Sequence, residues 1–282
     1  MALVTTRELV DDARARTAGI GAFNVITLEH AEAIAQGAEA AGAPVILQVS
    51  ENAVRFHGGR VGPLAAACVA VASAASVPVS LHLDHVEDED LLHQAADHGF
   101  SSAMFDASRK DFEDNVAATA AAAAWAHEHG LYLEAELGEV GGKDGAHAPG
   151  VRTDPGEAAS FVAATQVDAL AVAVGSSHAM TTRDARIDHD LIGELRTAVP
   201  VPLVLHGSSG VSDDDLAAAV ASGIVKVNVG TILNVAFTGA VRDVLRDEDV
   251  VDPRKYLKPA RAGMSDVVRH LLGVLSGPAR AS

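Results

Sequence analysis

The chain has 282 residues, 49% of them apolar but only 4% aromatic, and a formal charge of −17. An acidic surface of this size repels nucleic-acid phosphates and anionic lipid, and no stretch reaches the roughly 20 apolar residues a membrane span needs. The single cysteine, Cys68, excludes a disulfide framework, so a soluble protein of the reducing cytoplasm is expected, with neither nucleic acid nor membrane as partner.

Runs of β-branched and apolar residues predict strands at 22–26, 45–49, 79–83, 102–105, 132–137, 169–174, 202–205 and 224–229, each followed by a helix-like stretch. Cys68 falls in one of these, the alanine-rich run 65–75. Asp154-Pro155 and Ser212-Asp213 are helix-start signals, while Gly42, Gly99, Gly130 and Gly223 stand where helices should stop. Eight βα units predict an α/β fold, a (β/α)8 TIM barrel occupying residues 1–282 as one domain. An open doubly wound sheet would want a glycine-rich turn after its first strand, and Asn24-Val25-Ile26-Thr27 stands there instead.

A barrel must carry its chemistry at the C-terminal ends of its strands. In chain order those ends offer Asn24, Ser50, Asp84-His85, the pair Glu134 and Glu136, Gly175 leading to His178, His206-Gly207-Ser208-Ser209-Gly210 and Asn228-Val229-Gly230-Thr231. Of 13 histidines, His85, His178 and His206 have this placement together with suitable neighbours, and three converging imidazoles would make an open Zn²⁺ site. Glu136 shares a strand face with Glu134 and is either a further ligand or half of a buried carboxylate pair bonded to neighbouring strands.

The turn at Gly207, Ser208 and Ser209, followed by a helix capped at Ser212, presents backbone N–H groups fit for a phosphate. Asn228, Gly230 and Thr231 supply a second half. Arg254, in a local basic stretch of an acidic chain, is a candidate grip for a distal phosphate.

These stretches, with Ala22-Phe23-Asn24-Val25, Leu81-His82-Leu83-Asp84-His85, Glu134-Ala135-Glu136-Leu137-Gly138, Leu203-Val204-Leu205-His206-Gly207 and Lys226-Val227-Asn228-Val229, resemble the class II fructose-bisphosphate and tagatose-bisphosphate aldolases from near the N-terminus to about residue 270. The resemblance implies one Zn²⁺ per subunit on His85, His178 and His206, with Glu136 lining the site, and Asp84 as the base that starts carbon–carbon cleavage. It implies a dihydroxyacetone phosphate group held by the segment after His178, the Gly207–Ser209 turn and the Asn228–Thr231 segment, with Asn24, Ser50 and Arg254 at the other end of a bisphosphate. A monovalent cation, Na⁺ or K⁺, beside that phosphate and a homo-oligomer, dimer or tetramer, are further implications; the apolar C-terminal stretch 267–274 points the same way.

Two loops depart from the family pattern. Asp144, after Gly141-Gly142, stands where a Glu usually exchanges a proton with the cleaved carbon; it either does that work or belongs to a plain turn. Ala179 stands where the family has Gly, and keeps a backbone N–H for the phosphate. The expected activity is reversible cleavage of fructose or tagatose 1,6-bisphosphate to dihydroxyacetone phosphate and glyceraldehyde 3-phosphate. The alternatives are another ketose phosphate, a Schiff-base aldolase using Lys226, and a non-catalytic sugar-phosphate-binding barrel.

Overall fold

The computed structural model describes residues 3–137, 152–176 and 182–276. Eight parallel strands close in sequence order into a barrel: β1 Ile20–Asn24, β2 Val45–Ser50, β3 Val79–Val86, β4 Ser102–Phe105, β5 Tyr132–Glu136, β6 Ala169–Ala171, β7 Leu203–Leu205 and β8 Ile224–Val229. The expected barrel is therefore the observed one. Asp154 and Ser212 cap their helices, each accepting a backbone N–H, and Gly42, Gly99 and Gly130 turn the chain with positive φ. No helix among the described residues is long and apolar enough to cross a membrane.

Six of the eight strands differ from expectation in their bounds, the first, sixth and seventh among them. The first strand begins at Ile20, which pairs with Lys226 of β8, and Gly21 leaves room for the Phe23 ring, which a Cβ would approach to 2.5 Å; glycine-rich strand starts carry little propensity signal. The sixth stops at Ala171 because beyond it Ala173 bonds Thr153, and Val174 accepts from Asp188, rather than continuing both neighbouring ladders. Pro202 has no N–H to give and lies outside β7, though its carbonyl accepts from Leu170.

Strand alternation sends one set of side chains outward against the helices and the other toward the axis. The outer set, with Leu47, Leu81, Leu83, Leu133, Leu170 and Val227, packs with the helical layer in one continuous cluster. Cys68 is buried in that layer, and burial pushes its thiol up to about 12. The inner apolar set, with Ile20, Ile46, Tyr132, Ala169 and Val204, packs against helix α1 (Thr6–Ala15), which closes the N-terminal end with Leu9, Val10 and Ala13. The apolar face of helix α11 (Pro253–Leu275) is used within the chain, since Met264, Val268, Leu271, Leu272 and Leu275 are buried. Within the stretch 267–274, Val268, Leu271 and Leu272 are therefore part of the chain's own core.

Candidate active site

Asp84 and His85 are adjacent, so a regular strand would aim them at opposite faces. The pairing of β3 with β4 instead slips by one residue between Leu83 and Val86, a β-bulge that re-aims side chains. Leu83 and Val86 both join the outer cluster, while Asp84 and His85 both line the cavity at the strand ends. His85 adopts φ 48° to do so, a conformation that costs a non-glycine residue on the order of 1–3 kcal/mol. A second slip, in the pairing of β7 with β8, turns Lys226 and Asn228 inward.

One potential ligand atom each from Asp84, His85 and His206 lies within 4.8 Å of the others, and His85, Asp106 and Glu136 form a second such group. The His85 and His206 rings meet edge-on with centroids 4.9 Å apart. Each imidazole is oriented by a carboxylate: His85 Nδ1 lies 2.8 Å from Asp106 Oδ2 and His206 Nε2 lies 2.9 Å from Glu134 Oε1. With those nitrogens donating, lone pairs remain on His85 Nε2 and His206 Nδ1, and His206 Nδ1 stands 3.7 Å from Glu136 Oε2. A carboxylate behind each imidazole is the usual support of a metal-binding histidine. Asp84, Asp106, Glu134 and Glu136 are all buried with Lys226 as the one buried ammonium among the described residues, a negative excess that a divalent cation offsets. The donor set therefore fits a metal ion.

Asp84 is 2% exposed. Burial alone would raise its carboxyl pKa, but His85 and His206 first, with Lys226 beyond them, outweigh burial and hold it below the usual range, leaving a carboxylate that can accept a proton. Asn228 Nδ2 approaches its Oδ1 at 3.4 Å. Behind this front lies a buried polar column. Burial would also raise the Glu134 pKa, yet Lys226, whose Nζ is 2.7 Å away, leads the groups that hold it well below the carboxylate range.

The cavity beside Asp84 has a volume of about 150 Å³ and is lined by Asn24, Gln48, Asp84, His85, Gly207, Ser208, Ser209, Asn228, Val229, Gly230, Thr231 and Asn234. Gly207 turns the chain with φ 67°, and Ser209 Oγ accepts from Ile232 N, tying that turn to the start of helix α10 (Thr231–Val244). The positive end of α10 thus opens into the cavity. The helix capped at Ser212 is a poor phosphate site by comparison, because Asp213, Asp214 and Asp215 fill its first turn. Gln48 donates to Asn24 Oδ1 at 2.8 Å while Gln48 Oε1 and Asn228 Oδ1 are buried acceptors without hydrogen-bond partners, suited to substrate hydroxyls.

Most residues read from the sequence converge here: Asp84, His85, His206, Glu136, Asn24, Gly207, Ser208, Ser209, Asn228, Gly230 and Thr231. Ser50 sits at the same level as Asp84 in the β2–β3 register but faces helix α3 (Glu51–Phe56), which it caps by accepting from Ala53 N. Arg254 is not brought to the cavity; its side chain is 91% exposed and paired with Asp252 at 2.8 Å, because Asp252 caps α11 and holds the guanidinium beside its own turn. His178, Ala179 and Asp144 lie outside the described residues. Asp106, Gln48 and Asn234 escaped the sequence reading. The alternation that places Asn24 inward on β1 offers Gln48 on β2 as well, whereas an Asp after a short strand looks like any turn residue.

The chain matches the family described as Fructose-bisphosphate aldolase class-II over residues 4–278. It is 39% identical to a fructose-bisphosphate aldolase of Staphylococcus aureus over 274 residues, covering 95% of this chain and 96% of that one. A fructose-bisphosphate aldolase of Thermus caldophilus is 38% identical, with 99% and 100% covered. Among solved structures, the YdjI aldolase of Escherichia coli K12 superposes with a TM-score of 0.84 at 32% identity, covering 99% of this chain and 100% of that one.

Proposed function

Because the chain belongs to the class II fructose-bisphosphate aldolases, we propose that it cleaves fructose or tagatose 1,6-bisphosphate reversibly to dihydroxyacetone phosphate and glyceraldehyde 3-phosphate. The observation that carries this reading is the meeting of Asp84, His85 and His206 within 4.8 Å beside a cavity edged by the α10 terminus. His85, His178 and His206 would hold Zn²⁺, with Glu136 close enough to join them. When bound, that ion supplies a Lewis acid that polarises the ketone and steadies the charge left by cleavage.

Asp84 takes the proton from the hydroxyl on the carbon that becomes the aldehyde, so that the adjacent carbon–carbon bond breaks. The N–H groups of the Gly207–Ser209 turn, Ala179, Gly230 and Thr231, with the Asn228 side chain, receive the phosphate of the three-carbon ketone product; a monovalent cation held by carbonyls near Gly175 and Gly207 would add to its binding. Asn24 serves the other end of the sugar. Asp144 returns a proton to the carbon left by cleavage. Lys226, which a Schiff-base route would need as a free amine, is 1% exposed and engaged by Glu134, so the metal route is the better supported of the two.

Release of dihydroxyacetone phosphate from each bisphosphate, measured before chelation, after it, and after Zn²⁺ is restored, tests the reading. Activity lost and regained establishes metal dependence and ranks the sugars. Activity that survives exhaustive chelation refutes it.

A further inference from the structure

The polar column inside the barrel continues far below the cavity. Lys226 Nζ donates to Glu134 Oε2 at 2.7 Å and lies 3.4 Å from His82 Nε2. His82 Nδ1 meets Ser102 Oγ at 2.8 Å, Ser102 Oγ donates to Thr6 Oγ1 at 2.7 Å, and Thr6 Oγ1 donates to Ser80 Oγ at 3.0 Å. An ammonium only donates, so His82 Nε2 accepts and its Nδ1–H points at Ser102. Every member from Thr6 to His206 is buried, and the column joins four strands to the helix that closes the barrel. Burying an ammonium and a carboxylate is costly in itself, and such pairs are weak sources of stability. Their yield is geometric: Glu134 Oε1 is fixed as the acceptor for His206 Nε2–H, leaving Nδ1 turned toward Glu136.

We propose that Lys226 is a positioning residue for the metal site, acting through Glu134 to set the ring orientation and the ligating nitrogen of His206. The inference rests on the metal reading above. Without the ammonium, Glu134 loses the contact that fixes its second oxygen, and the His206 ring loses its fixed acceptor. Outer-shell losses of this kind typically weaken metal binding about 10–100-fold.

The test compares the wild-type chain with Lys226→Met, which keeps the stem and drops the donor, and Lys226→Gln, which restores an uncharged donor. Zn²⁺ affinity is measured by competition with a chromophoric chelator, and the visible spectrum is recorded after Co²⁺ loading, under conditions where circular dichroism shows each variant folded. Lys226→Met should bind Zn²⁺ at least tenfold more weakly with an altered Co²⁺ spectrum, and Lys226→Gln should recover part of both. If Lys226→Met does not fold, the Lys226→Gln shift decides alone. Wild-type affinity and spectrum in the folded variants overturn the positioning role. A wild-type chain that takes up neither ion overturns the metal reading, and this inference with it.

Discussion

Lowering the pH from 7 to 5 should cost the fold about 2 kcal/mol through His82 alone. The ring is wholly buried, and burial first, then the Lys226 ammonium, push its pKa from 6.5 down to about 3. The unfolded chain takes up that proton near pH 6.5 while the folded chain does not. His82 therefore leaves stability whole above pH 6.5 and drains it as the pH falls toward 3. At about 1.4 kcal/mol per pH unit, the interval from 6.5 to 5 gives the figure of about 2 kcal/mol, a large fraction of the roughly 5–15 kcal/mol by which domains are stable. Urea denaturation of the chelated protein at pH 7, 6 and 5, followed through Trp125 fluorescence and far-ultraviolet circular dichroism, measures it. His82→Gln removes the titration, and its stability should change less across the same interval by about that amount. Equal losses in wild type and His82→Gln would show that the neutral buried imidazole is not the source.

Asp84→Ala should lower kcat by about 10²–10⁴-fold, the usual worth of a positioned base, while metal content by atomic emission stays near that of wild type; near-normal turnover would remove Asp84 from its role. His206→Ala should lose the metal itself during dialysis, because it deletes a donor together with the group that Glu134 holds. Gly230→Ala puts a Cβ 3.0 Å from Asn24 Nδ2. Steady-state kinetics should show KM for the bisphosphate rising about tenfold with kcat nearly kept, the effect of weakening about one hydrogen bond to a charged group.

The barrel was legible because buried parallel strands read as apolar runs and because Asp154, Ser212 and the helix-ending glycines act locally, within a few residues. His85 and His206 were legible from their strand-end positions. What escaped depends on registers between distant strands. That His82 faces Lys226, or that Asp106 supports His85, follows from two one-residue slips and the closure of the sheet, and neither leaves a mark within either strand. Arg254 shows the same limit: a lone basic stretch in an acidic chain does not reveal that the nearest carboxylate, Asp252 two residues away, pairs with it. The packing of the stretch 267–274 is hidden because its partners on helix α2 (Leu28–Ala41) lie more than 200 residues earlier.

The bulge at Asp84 and His85 has a consequence for thermal motion. Where a proton acceptor and a metal-holding group sit on different segments, their spacing changes as those segments vibrate against each other. On the proposed reading consecutive residues carry both, so one peptide bond rather than side-chain packing sets the interval between them. When the barrel expands on warming or the strands shear as substrate enters, the two travel as a single rigid piece, and drift is left to groups arriving from other strands. Transplanting this chemistry to another barrel would mean moving the extra residue along with the two side chains, since an unkinked strand would send one of them into the helical layer.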